Sequence, residues 1–316
     1  MLERFSKYEG NNKMNEYDSK YDYLTKKMIE FAKETNDIRA VFIVGSKARD
    51  SKYNDRWSDI DYIVFTRNKG KFLRNENWIY KFGNPLTKIK QSTAGKDVEW
   101  SVSFDNGVDA DFVFTSNRIT AFFIKTVLFI THAIRKNVFK KILFQLNMGA
   151  SLYRSGYVCI YDLDNVEKVI KELLKIEPHK EVITSEDIES RNIYFWHYVE
   201  RVVRKYKRGE YYIARLRIND IIHNYVYKLI EIDELNKNDG TKIWYDGKLF
   251  ETWSDSETNE LLSSIYAMKT KDDIKQSIIV MIELYQELFE RIYRYYHFKF
   301  DYENTVKLKT MILDIL

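Results

Sequence analysis

Apolar residues in the first third of the chain fall into short runs of strand length, and in the last third they recur at helical spacing. Residues 40–44 and 59–66 are apolar runs separated by Gly45, Ser46 and a polar loop, which predicts two strands. Ahead of them, Tyr21, Leu24, Met28, Ile29, Phe31 and Ala32 sit at helical spacing, so 15–35 reads as a helix covering a sheet. Residues 71–83 read as a helix closing at Gly83, with Pro85 beyond it as a stop. Strands are predicted at 86–91 and 98–104. Asp105, Asn106 and Gly107 then make a hairpin turn signal leading into a strand at 108–114. Residues 118–150 are largely apolar and predict one or two buried helices, within which His132 reads as a satisfied core histidine. A strand at 156–162 and a helix at 165–174 follow.

Periodicity lapses around Pro178, and a domain boundary is placed there: 1–177 and 178–316. Ser185, followed by Glu186 and Asp187, is a helix-start signal. Beyond it 193–205, 211–232 and 272–296 keep i, i+3, i+4 apolar spacing. The expected fold class is α+β. It comprises an N-terminal mixed sheet with flanking helices and a C-terminal helical-bundle domain, with a cleft between the two as the substrate site.

Composition narrows the options. The chain has 316 residues, 45% hydrophobic and 31% charged, enough for two cores of an ordinary globular kind. No apolar run reaches the length of a membrane span, and the first ten residues lack a signal-peptide apolar region. The cytoplasm and no membrane partner are therefore expected. A single cysteine, Cys159, excludes an internal disulfide and a cysteine-based zinc site. The net charge of +4 gives no argument for a nucleic-acid partner, and none is expected.

The candidate chemistry lies between the first two strands. Asp59 and Asp61 are two apart at a strand start, so their carboxylates project side by side, while Ile60, Ile63 and Phe65 pack elsewhere. Paired carboxylates repel unless a positive charge lies between them, and a hard divalent cation such as Mg²⁺ suits oxygen ligands. Gly45 lets backbone N–H groups approach a ligand closely, and Ser46 can start a helix whose N-terminus favours phosphate. Lys47 and Arg49 follow directly and Arg56 precedes the acids, all candidate donors to β- and γ-phosphates. A phosphate cradle beside a metal-binding acid pair reads as nucleoside triphosphate chemistry. Asp109 and Asp111 share one face of the strand after the hairpin. Either can supply a third carboxylate, to complete a metal site or to accept a proton. Asp109 is preferred because, like Asp59 and Asp61, it lies near its strand's start.

Gly45-Ser46, a loop, then Asp59-Ile60-Asp61 is the pattern of the polymerase-β-like nucleotidyltransferases. Within them the chain resembles the aminoglycoside 6-adenylyltransferases. Trp78 with Phe82-Gly83-Asn84 stands as in that family's W-x-x-x-F-G-N stretch, and Val108-Asp109 resembles its third acidic segment. Phe195-Trp196 followed by Arg208-Gly209-Glu210 resembles its F-W…R-K-E pattern. Two departures stand out. The second-strand motif reads Asp59-Ile60-Asp61-Tyr62 where the family has D-Y-D-I, and residues 119–150 look like an insertion.

The resemblance implies Mg²⁺-dependent transfer of AMP from ATP to a hydroxyl of a cationic, streptomycin-like aminoglycoside, conferring antibiotic resistance, by a monomer or homodimer. On it, Asp59, Asp61 and Asp109 hold the metal, with Asp109 alternatively activating the hydroxyl. Gly45, Ser46, Lys47 and Arg49 bind the nucleotide. Glu210 faces a substrate cation, and Trp196 lines the cleft with Tyr194 and Tyr198. The alternatives are the same fold acting on another small molecule or a protein, or a non-catalytic, antitoxin-like nucleotide-binding module.

Overall fold

The computed structural model describes residues 16–49, 57–93, 97–116, 149–175, 182–237, 247–300 and 302–316. The apolar stretch at 118–148, with His132, lies outside these, as does Arg56. The chain divides into two compact units, Met1–Lys180 and Glu181–Leu316.

In the first unit a helix, α1 (Glu16–Glu34), leads into β1 (Ile38–Val44). A 3-10 turn at Ser46–Ala48 follows β1, and β2 (Ile60–Thr66) comes next among the described strands. β3 (Pro85–Ser92), β4 (Val98–Phe104), β5 (Asp109–Ser116) and β6 (Val158–Asp162) complete a six-stranded sheet of order β3-β4-β5-β2-β1-β6. Among the described strands β2 and β5 run parallel and the other pairs are antiparallel. The Asp105-Asn106-Gly107 turn joins β4 to β5. Gly107 adopts φ +78°, its N–H donates to the Phe104 carbonyl at 3.0 Å, and Asn106 Oδ1 accepts from the Val108 N–H at 3.2 Å.

The sheet is apolar on both faces. On one, Ile60, Tyr62 and Val64 of β2 and Ala110, Phe112 and Phe114 of β5 pack with Leu24, Met28 and Phe31 of α1. On the other, Phe42, Ile63 and Phe65 pack with Tyr153, Val166 and Ile170, the last two from α3 (Val166–Leu173), α2 being the short helix Lys69–Arg74. Ile63 and Phe65 thus share the face of Asp61, deeper along the strand, and only Ile60 of the three packs on the opposite side. This is what the two-residue period of a strand requires.

The helix expected over 71–83 is two pieces, α2 and a 3-10 turn at Asn77–Lys81. Asn68 caps α2 by accepting from the Lys71 N–H, and Asn75 leaves the helical region at φ −124°, ψ 127° while its Oδ1 takes the Asn77 N–H at 2.8 Å. Asparagine side chains that bond the nearby backbone compete with the helical ladder, which is why the helix breaks here. Pro85 begins edge strand β3, where a missing N–H costs no ladder bond. The Trp78 and Phe82-Gly83 stretch turns out to be packing. Trp78 meets Phe112 and Phe114 edge-on at 5.1 and 5.0 Å, and its indole N–H donates to the Phe72 carbonyl at 3.1 Å. A Cβ on Gly83 would lie 3.1 Å from the Phe104 ring.

The second unit is helical. α4 (Ser185–Lys207) starts at Thr184, whose hydroxyl accepts from the Asp187 N–H. The helix expected over 211–232 is α5 (Tyr211–Ile221) and α6 (Tyr227–Lys237) joined through one π turn, Ile222–Val226. α7 (Phe250–Trp253) and α8 (Ser256–Tyr266) precede α9 (Lys271–Tyr295), the longest helix among the described residues, opened by a capping box between Thr270 and Asp273. α10 (Glu303–Ile315) follows. α4 and α9 share the core: the Phe195 and Tyr285 rings stack at 3.5 Å, and Val199, Val202, Ile278 and Met281 are buried in the same cluster. No helix among the described residues is long and apolar enough to cross a membrane.

Candidate active site

Three carboxylates meet at one end of the sheet. Asp59 stands just before β2, Asp61 lies within it, and Asp111 lies opposite Asp61 in the parallel β2–β5 register. One oxygen from each falls within 4.8 Å of the other two. Asp109, expected from the sequence as the third member, lies outside this cluster. Asp109 is the exposed first residue of β5, and Asp111 is the one brought to the Asp59–Asp61 pair. Alternation along one strand cannot separate two residues on the same face, whereas the neighbouring strand's register does.

The surroundings of Asp111 shift its titration upward. The Ser101 hydroxyl, opposite it on β4, donates to Asp111 Oδ1. Burial pushes its carboxyl up to about 6, Ser101 works downward, and the charges of Glu99, Asp59 and Asp109 add to the rise. The folded chain therefore holds a proton that an unfolded aspartate, with an ordinary value of 3.8, has released. Raising pH through this window works against the metal-free fold, because folding there takes up a proton. We expect the melting temperature of metal-free protein to fall between pH 5 and pH 7 more than that of Asp111→Asn. Millimolar Mg²⁺ should raise it more at pH 7 than at pH 5, and calorimetric melting that shows equal shifts at both would contradict this.

The wall facing the acids is the turn after β1. Gly45 adopts φ +70°, ψ −151°, a region open essentially to glycine alone. A Cβ there would lie 1.9 Å from Asp61 Oδ2, so the backbone passes directly against that carboxylate. The helix expected to start at Ser46 is a single 3-10 turn, too short for an N-terminal field of its own. Ser46 contributes otherwise. Its residue is only 5% exposed, and its hydroxyl has no hydrogen-bond partner among the described residues, a costly state for a buried polar group. Arg49 is half-buried; burial lowers its guanidinium's proton affinity and the charge of Asp61 raises it.

Tyr21 links these parts, and sequence reading took it only as a helix residue packed on the sheet. It is 7% exposed; its hydroxyl donates to the Ser58 carbonyl at 2.5 Å, and the Lys47 ammonium lies over its ring at 4.0 Å.

Two expected substrate residues are placed elsewhere. Trp196 is 1% exposed, with its indole N–H donated to Asn192 Oδ1 at 3.0 Å, so it belongs to the helical core and presents nothing to a ligand. Its neighbours Tyr194 and Tyr198 are exposed and stack with one another. Glu210 pairs with Lys205 and Arg208, each at 2.8 Å. The Lys205 hydrogen bond holds its carboxyl below the usual range. Its charge is met within its own helix junction rather than held out for a substrate cation.

These residues suit a hard cation and a phosphate chain. The acids supply clustered oxygen donors, their mutual repulsion is what a divalent ion relieves, and the Ser46 hydroxyl awaits an acceptor. A family model described as streptomycin adenylyltransferase matches residues 19–315, nearly the whole chain. Among solved structures, an aminoglycoside 6-adenyltransferase from Bacillus subtilis is similar at 14% identity, over 92% of this chain and 97% of that one, with a TM-score of 0.41. A nucleotidyltransferase-like protein from Exiguobacterium sibiricum 255-15 is similar at 12% identity, over 87% and 78%, with a TM-score of 0.33. No curated protein matches.

Proposed function

We propose, from the premise that this chain belongs to the streptomycin adenylyltransferase family, that it transfers AMP from ATP to a hydroxyl of a streptomycin-like aminoglycoside. The chain is a nucleotidyltransferase of the aminoglycoside-adenylylating type; the nucleotide, the metal, the acceptor and a resistance role are the reading argued here. The observation that carries it is the Asp59–Asp61–Asp111 cluster against the Gly45–Ser46 turn.

Asp59 and Asp61, with Asp111, hold Mg²⁺ in this reading. When bound, the ion neutralises phosphate charge and lowers the pKa of a coordinated hydroxyl. The protein's own residues do the rest. The Gly45 backbone and the Ser46 hydroxyl receive the leaving phosphates, which gives that buried oxygen its partner. Lys47 and Arg49 add positive charge on the same side of the acids. Asp111, bound by the Ser101 hydroxyl and opposite Asp61, completes the acid set around the ion or, alternatively, accepts the acceptor hydroxyl's proton. In the transfer, the acceptor oxygen forms a bond to the α-phosphorus, the bond from that phosphorus to the bridging oxygen breaks, and its electron pair leaves with pyrophosphate. The helical unit Glu181–Leu316 is assigned acceptor binding.

The test is pyrophosphate release by purified protein with ATP and Mg²⁺ against a panel of aminoglycosides. Release with streptomycin, and AMP found on the drug by mass spectrometry, is the expected result. Release with none of them, in protein that still binds ATP, would reject the aminoglycoside and keep the nucleotide chemistry.

A further inference from the structure

We infer that Tyr21 of α1 is a positioning residue that locks the two walls of the nucleotide site to each other, acting on Asp59 through the Ser58 carbonyl and on Lys47 through its ring. The inference rests on the nucleotide reading above. The two contacts are chemically separable and reach opposite sides of the site. The hydroxyl donates at 2.5 Å to the carbonyl of the residue immediately before Asp59, just ahead of β2. The ring carries the Lys47 ammonium at 4.0 Å, just past Gly45 and Ser46. A cation held over an aromatic face keeps its charge while losing rotamer freedom, so Lys47 is pre-ordered toward phosphate at little cost on binding.

Tyr21 is itself anchored. It is 7% exposed and packs in the same cluster as Leu24, Met28, Ile60 and Tyr62. One helical turn on, the Thr25 hydroxyl meets the Tyr62 hydroxyl at 3.3 Å, a second tie between α1 and β2. α1 thereby sets the spacing between the turn that takes the phosphates and the strand that carries the acids.

Tyr21→Phe keeps the ring and removes the donor; Tyr21→Leu removes both and keeps the site apolar. The experiment titrates a non-hydrolysable ATP analogue into the full chain by calorimetry at several Mg²⁺ concentrations, with melting temperatures measured alongside. Tyr21→Phe should need roughly two- to tenfold more Mg²⁺ for half-maximal analogue binding, the size of one lost hydrogen bond. Its affinity at saturating Mg²⁺ should stay near that of wild type. Tyr21→Leu should show the same Mg²⁺ shift and, at saturating Mg²⁺, bind the analogue roughly two- to thirtyfold more weakly, the range of a cation–π contact. Unchanged Mg²⁺ dependence in Tyr21→Phe, with or without a lower melting temperature, overturns the inference, and because that variant is nearly isosteric it remains readable if Tyr21→Leu fails to fold. Wild-type protein that binds no analogue defeats the nucleotide reading itself, and this inference with it; binding by wild type with variants indistinguishable from it defeats only the inference.

Discussion

Replacing Gly45 with alanine is expected to lower nucleotidyl transfer by at least about 100-fold, the scale of an ångström-sized misplacement of reacting groups. The argument is steric and conformational together. The added Cβ would stand 1.9 Å from Asp61 Oδ2, so either the turn or the carboxylate must move. The backbone at φ +70°, ψ −151° disfavours any side chain there, by about 1–3 kcal/mol. Relief that moves the turn displaces Ser46 and Lys47, and relief that moves Asp61 separates it from Asp59 and Asp111. Both routes damage the same site, while the helices of Glu181–Leu316 need not change. Steady-state pyrophosphate release together with far-ultraviolet circular dichroism checks this: lost activity with retained helical signal is expected. Wild-type activity would mean that the Gly45 contact plays no part.

The second large effect is an asymmetry between two neighbouring acids. Asp111→Asn should reduce transfer by about 10²–10⁴-fold, the range for loss of a positioned proton acceptor, whereas Asp109→Asn should stay within about tenfold of wild type. Asp111 sits against Asp61 across the parallel strand pair and is bound by Ser101, while Asp109 is exposed at the strand's first position. Asparagine nearly preserves the shape of either residue, so a difference between the variants reports on charge and proton transfer rather than on folding. Comparing kcat for the two variants, with ATP and acceptor both saturating, decides it. A larger loss at Asp109 would return the third-carboxylate role to that residue.

That pair shows where reading a single chain stops. The period of a strand places both residues on one face, and the choice between them depends on pairing with β2 across about fifty intervening positions. The Gly-Ser turn, the two acids and the strands around them were readable because close local rules dictate them. They are an apolar run, a residue free to take positive φ, and a second run opening on carboxylates. The role of the Trp78 and Phe82-Gly83 stretch was not readable, since its meaning is contact with Phe112 and Phe114 on a later strand. That Trp196 lies in the helical core was not readable, because two adjacent aromatics on a helix do not reveal which faces inward. Asn192, one turn earlier, receives its indole N–H and both are buried. Tyr21 carried a helix-core signal that was true as far as it went. The hydroxyl's reach to Ser58, across 37 positions, has no local signature.

A crystal structure with a non-hydrolysable ATP analogue and Mn²⁺, read by the anomalous scattering of the metal, tests the central claim most directly. The account predicts a metal peak shared by Asp59, Asp61 and Asp111, with the analogue's terminal phosphates against Gly45 and the Ser46 hydroxyl. A nucleotide bound away from that turn, or a metal that ignores these three carboxylates, would contradict it.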